Sequence, residues 1–373
     1  MRPKFQLLLL LCTIAATTCT QEERHPSLVI GDPAPPLRVR EWIKGAPVQK
    51  FEKGMVYVVE FWATWCQPCR AAMPRLSAIA REYKDSVTIL GIDIYEMEST
   101  SMKKIKAFVD SMGDRMDYLV AVGDSNSIAA EWINAAGEEN TGIPKTIVVN
   151  AEGRLAWIGH PSDLNKVLPK IVNKTWDLKE ALARRNLNRH LAYLDREASF
   201  DLTIYGEDPL KPHDLGKPDS TLLMVNEIVR KEPGLKYAPT IAYSTFSSLL
   251  KTNPHKAYEY GKEVLLTPTY EVPACDAIVG AIETYSDRLK LPVEIYCLGI
   301  EAQQMSIDQF VYPEFVNFPK RYNKMAEWYW RANDKSKAIE VQQKAIEALK
   351  IRKDFSATEM AAFKSRLQQY KNL

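Results

Sequence analysis

Cysteine is scarce in this chain, six residues in 373, which excludes a disulfide-dense scaffold. An excess of charge is also missing. Lys and Arg number 49 against 47 Asp and Glu, a net charge of +2. Removing residues 1–20 takes away Arg2 and Lys4 and leaves none. Without a positive field the chain has no general means of collecting nucleic acid or an anionic membrane. Beyond the N-terminus no 18 successive residues are apolar, so no later segment reads as a membrane span. Gly (16) and Pro (22) stand at ordinary levels, which excludes collagen-like and low-complexity chains.

What is there is a 46% apolar, 26% charged chain too long for one ordinary domain. Residues 1–20 read as an address. Arg2 and Lys4 are followed by the run Leu7–Leu11 and by small residues from Ala15 to Cys19, the layout of a secretory signal. Cys19 is a candidate for lipidation after cleavage, the one expected route to a membrane, although Ala16-Thr17-Thr18 matches a lipobox poorly. Export places the protein in a periplasm or cell envelope, where disulfides persist.

From Leu28 the chain alternates strand and helix signals. Met55–Trp62 suits a strand buried on both faces, and Cys66–Tyr83 follows at helical period. Strands at 88–94 and 118–122, helices at 101–112, 127–136 and 163–172, and a hairpin over Lys145–Val149 and Leu155–Gly159 complete the unit. The class is α/β, a mixed sheet with helices on both faces, over residues 28–173. Residues 174–373 read as an all-α domain broken by Pro254, Pro268, Pro273, Pro292, Pro313 and Pro319, with 201–220 as loop. In Tyr322–Lys350 the spacing of Tyr322, Met325, Ala326, Ala338, Ala345 and Ile346 resembles one tetratricopeptide repeat, departing at Gln342 and Lys350. An irregular helical bundle remains an equal alternative.

The chemistry lies in Trp65-Cys66-Gln67-Pro68-Cys69, directly after a buried strand and at the start of a helix. Free backbone N–H groups and the helix dipole stabilise a thiolate there, so Cys66 is the expected nucleophile and Cys69, one turn on, the resolving thiol. Zinc would need two further ligands, and the five histidines are scattered. Haem attachment would need His where Arg70 stands.

The segment Phe61–Arg70 resembles the active site of the thioredoxin superfamily. More narrowly it is similar to exported thioredoxin-like oxidoreductases related to cytochrome c maturation proteins. The resemblance spans residues 28–172 and takes Gly31–Pro35 and Trp42 as an N-terminal hairpin. It implies that Glu60 is a buried proton relay beneath Cys69, with a raised pKa, and that Pro74 bends the first helix. It implies that Ile143-Pro144 is a cis-proline loop whose backbone pairs with substrate, and that Trp65, Gln67 and Pro68 contact substrate. No cofactor and no metal is implied. The partners implied are envelope proteins with thiols or disulfides and an upstream electron donor. The longer interval from Cys66 to Pro144 suggests an inserted strand–helix unit at Tyr95–Ala121.

The function expected is thiol–disulfide exchange, in the reducing direction because Gln67-Pro68 lacks the histidine of strong oxidants. Two alternatives stand beside it. A thiol peroxidase would want Thr or Ser where Ala63 lies. A helical-repeat adaptor would use residues 174–373 for docking. Cys275 and Cys297 are expected to be buried thiols on a helical hairpin, too far apart to pair.

Overall fold

The computed structural model describes residues 25–124, 127–139, 141–203, 215–267, 274–308, 318–351 and 355–372. The expected leader and Cys19 lie outside these residues. The first part holds a six-stranded mixed sheet of β1 (Val39–Lys44), β2 (Val56–Trp62), β3 (Val87–Asp93), β4 (Leu119–Gly123), β5 (Lys145–Val149) and β6 (Leu155–Gly159), in the order β1-β4-β3-β2-β5-β6. β2, β3 and β4 are parallel, while β1, β5 and β6 pair antiparallel. β2 is buried along its whole length, which explains a nearly unbroken apolar run with one acid, Glu60.

Strand alternation sorts the two faces. Val56, Val58 and Trp62 share a core with the helices α1 (Gln67–Glu82), α2 (Met102–Met112) and α3 (Leu164–Val172). Tyr57, Val59 and Phe61 face the other way, onto Leu28, Ile128, Trp132 and Ile133. The fold is thus an α/β sandwich of the thioredoxin type followed by an all-α part.

Two local expectations change. Residues 127–136 are not an ordinary helix, because Ala129–Asn134 is a π-helical segment. The Ala135 and Glu138 amides donate to Ala130 and Ile133, five residues back. The Gly31–Pro35 segment does not pair with β1 as a hairpin. Pro33 makes a lone bridge to Arg154, and β1 pairs with β4 at the sheet edge. Pro33, Pro35 and Pro36 lack the N–H donors that a strand ladder needs. The segment expected as an insertion contains α2 and most of β4, the strand through which β1 joins the sheet.

The second part runs through α4 (Leu178–Thr203), α5 (Pro218–Lys231), α6 (Pro239–Thr252), α7 (Pro254–Leu266), α8 (Cys275–Tyr285), α9 (Val293–Asp308), α10 (Phe318–Arg331), α11 (Lys335–Ile351) and α12 (Ala357–Asn372). Pro218, Pro239 and Pro254 open helices, where a missing N–H costs no intrahelical bond. Buried Asp195 of α4 accepts the Thr240 and Ile241 amides and so caps α6. The helices α10 and α11 pack through Ala326, Ala338 and Ala345, all fully buried. Gln342, where a repeat would carry an aromatic, is buried too. Its Nε2 donates to Asn323 of α10 and to the Phe363 carbonyl of α12. An apolar ring could not make that tie.

Cys275 is buried on α8, but Cys297 is exposed on α9, against expectation. Its neighbours Tyr296 and Leu298 take the core-facing positions of that helix. Among the described residues no helix is long and apolar enough to cross a membrane.

Candidate active site

The parallel strand β2 delivers the chain to one end of the sheet, and α1 leaves from there. Cys66 has extended backbone angles and caps α1, and the Cys69 amide donates toward its Sγ at 3.2 Å. Pro68 sits in the first turn. Cys66 and Cys69 are joined by a disulfide. The two residues are 2% and 1% exposed, so exposure does not rank them. Position does: Cys66 receives an amide at the helix start, and Cys69 lies one turn inside. The helix continues through Pro74, which removes one donor from its ladder.

From the opposite side the loop before β5 closes on the dithiol. The Ile143–Pro144 peptide bond is cis, and the Ile143 carbonyl oxygen lies 3.6 Å from Cys66 Sγ. Gln67 and Pro68 are exposed beside the disulfide, and Trp65 is 46% exposed with its Nε1 donating to the Tyr95 carbonyl at 2.9 Å.

Glu60 lies on β2 on the same face as Val58 and Trp62, whose core includes both cysteines. Its Oε2 accepts from Thr146 Oγ1, while Oε1 is buried and finds no partner among the described residues. Burial pushes its pKa up to about 8 against the opposing pull of the Thr146 hydrogen bond and the Lys145 charge.

Sequence reasoning missed the segment after β3. Ile94 N–H donates to the Trp62 carbonyl, and Thr64 donates its amide and hydroxyl to Glu96. Asp93 is buried with both carboxyl oxygens unpartnered among the described residues. Burial first, then the neighbouring Glu96 charge, raises its pKa to about 9. Tyr95 and Met97 join Trp65 as exposed large apolar side chains. An acid closing the apolar run of β3 was the one visible signal. Nothing local in the sequence marks Glu96. A cavity of about 860 Å³ lies away from this site, lined by Trp157, Lys170, Trp176, Arg184 and Cys275 among others.

The thioredoxin family profile matches residues 46–109. Protein FixW of Rhizobium leguminosarum is 30% identical over 154 residues, 40% of this chain and 69% of that protein. The thiol:disulfide interchange protein HelX of Rhodobacter capsulatus is 28% identical over 132 residues, 35% of this chain and 67% of that protein. Among solved structures, the thioredoxin domain of a thiol-disulfide oxidoreductase from Bacteroides vulgatus is 25% identical, with a TM-score of 0.32 over 39% of this chain and 99% of that one. The chain belongs to the thioredoxin family. It is a thioredoxin-fold thiol–disulfide oxidoreductase with a redox-active Cys-x-x-Cys pair.

Proposed function

We propose that the protein reduces disulfides of exported proteins in the cell envelope, with Cys66 as nucleophile and Cys69 as resolving thiol. The observation that carries the roles is the Cys69 amide directed at Cys66 Sγ from the start of α1. In the reduced protein that N–H and the helix dipole stabilise a thiolate on Cys66.

The Cys66 thiolate attacks one sulfur of a substrate disulfide. A Cys66–substrate bond forms, and the other substrate sulfur leaves as a thiolate and takes a proton from water. Cys69 then attacks Cys66 Sγ, giving its proton to Glu60 in its ionised form, a form that grows as pH approaches 8. The mixed disulfide breaks, and the second substrate sulfur leaves as a thiolate and takes the proton that Glu60 received, which returns Glu60 to a carboxylate. One substrate disulfide has become two thiols, and the enzyme dithiol has become a disulfide. An upstream donor of two electrons restores it.

Glu60 suits the relay because one oxygen has no partner among the described residues and its pKa, about 8, lies near that of a thiol. The backbone of Ile143, whose carbonyl oxygen lies 3.6 Å from Cys66 Sγ, offers edge pairing to a bound substrate chain. Trp65, Gln67 and Pro68 form the exposed rim for the same chain. The envelope assignment rests on the leader pattern of residues 1–20 and on the compartment in which protein disulfides persist.

Two measurements test the reading. Equilibration with glutathione is expected to give a potential nearer roughly −270 mV than −120 mV, and a value above about −180 mV defeats the reducing assignment. The Cys69→Ala variant is expected to hold envelope proteins as mixed disulfides on Cys66. Capture through any other cysteine defeats the assignment of roles.

A further inference from the structure

The strand β5 begins one residue after the cis proline, and a single buried carboxylate grips the loop at both ends. Glu138 Oε2 accepts from Thr141 Oγ1 at 2.6 Å and from Lys145 Nζ at 2.7 Å. Thr141 and Lys145 bracket Gly142-Ile143-Pro144, so this one oxygen pins the span that carries the Ile143 carbonyl to Cys66.

The other oxygen of Glu138 belongs to the helical part. Arg185 of α4 is buried, and its Nη2 donates to Glu138 Oε1. The same guanidinium donates to the carbonyls of Ala136 and Ile158, both at 3.3 Å. One turn further along α4, Arg189 Nη1 also donates to Ala136, at 3.0 Å. Gly137 leaves the room for it: a Cβ there would lie 2.5 Å from the Arg189 guanidinium, and its φ is +70°. Burial by itself would raise the pKa of Glu138, but the Lys145 and Arg185 charges hold it down at about 2, so it is a carboxylate at working pH.

Two forked cations from one helix therefore hold the segment 136–138, and Glu138 transmits that hold to both ends of the substrate loop. A planar guanidinium fixes orientation as well as charge, because its donors diverge at set angles. An unheld Glu138 carboxylate would rotate, and Thr141 and Lys145 would follow it.

We propose that Arg185 is a positioning residue for the redox site. Through Glu138 the all-α part sets the cis-proline loop against Cys66, so the helices tune substrate binding at the dithiol of the first part. The proposal rests on Cys66 being the exchanging thiol.

The test uses the full chain with Arg185→Met, Arg185→Lys and, as control, Arg184→Met, since Arg184 is exposed and pairs with Glu180 one turn back on the same helix. Insulin serves as the protein disulfide and dithiothreitol as the electron donor. For Arg185→Met, KM for insulin is expected to rise on the order of tenfold to a hundredfold with kcat and the reduction potential unchanged. Amide hydrogen exchange at Gly142, Ile143 and Lys145 is expected to quicken at least about tenfold by loop opening. Arg185→Lys keeps a cation for Glu138 and is expected to recover most of the loss in KM. If Arg185→Met fails to fold, Arg185→Gln, which keeps donors but no charge, carries the test with the same expected rise in KM and loop exchange. Wild-type KM and loop exchange in the folded Arg185 variants overturn the proposal. A wild-type protein that does not exchange with dithiothreitol refutes the reading of Cys66 instead, and hydrogen exchange alone then decides whether Arg185 holds the loop.

Discussion

Thr64 gives both of its donors, amide and hydroxyl, to the two oxygens of Glu96. The bonded pair joins the turn before the dithiol to the segment after β3. Together with the Ile94–Trp62 backbone bond and the Trp65–Tyr95 bond, it sets the approach of the chain to Cys66. Glu96→Ala leaves the part-buried Thr64 amide without its acceptor. The variant is expected to lose about 1–3 kcal/mol of stability, read from urea unfolding of the oxidised protein. A loss under about 0.5 kcal/mol would show that water replaces the carboxylate without cost.

Glu60 makes stability and rate depend on pH in a stated direction. Its folded pKa of about 8 lies above the ordinary 4.5, so between those values the folded state keeps a proton that the unfolded chain has released. Stability contributed by the neutral acid is full below pH 4.5 and is lost as pH rises toward 8. The slope that Glu60 contributes is about 1.4 kcal/mol per pH unit, beside a like contribution from Asp93, whose pKa is raised to about 9. Glu60→Gln cannot ionise and is expected to lack that slope. It is also expected to slow resolution of the mixed disulfide by about a hundredfold and to remove an inflection near pH 8. Parallel rate profiles for the two proteins would sink the relay.

Trp65 and Tyr95, joined by the bond from Trp65 Nε1 to the Tyr95 carbonyl, expose apolar surface beside the dithiol. If it receives the substrate chain, Trp65→Ala raises KM for a protein disulfide by about tenfold, the scale of a well-placed aromatic anchor. Reaction with dithiothreitol, which buries no such surface, is expected to hold or quicken as Cys66 becomes less covered. Equal slowing with both partners would point to a distorted site.

Gly261 on α7 reports on the helical packing. A Cβ there would lie 2.4 Å from Leu298 Cδ2 and 2.9 Å from Phe246 Cε2, both in a filled core. Gly261→Ala is expected to cost about 1–3 kcal/mol in unfolding of the helical part. The potential of the Cys66–Cys69 pair, in the other core, is expected not to move.

Much of the first part was legible because its signals are local. The run Val56–Trp62 followed by Cys66, Pro68 and Cys69 encodes a buried strand, a cap and a helix start within about fifteen residues. The hairpin of β5 and β6 was legible from strand periodicity around Asn150–Gly153. The π segment was not, since Trp132 and Ile133 fit helical spacing whether bonds run to the fourth or the fifth residue back. The exposure of Cys297 was missed for a similar reason. On a helix flanked by apolar residues all round, spacing does not reveal which side faces water.

By itself the sequence determined the alternation of strands and helices and the dithiol at a helix start, and resemblance, not pattern, marked the loop of Pro144. The first two are written in neighbouring residues through backbone geometry. Only the tertiary structure decided that Glu138 grips both ends of that loop and that Arg185, 47 residues away, holds Glu138. A buried charge needs its partner within a few ångströms in space, and the chain reaches that partner only after the sheet has folded and α4 has come down beside it.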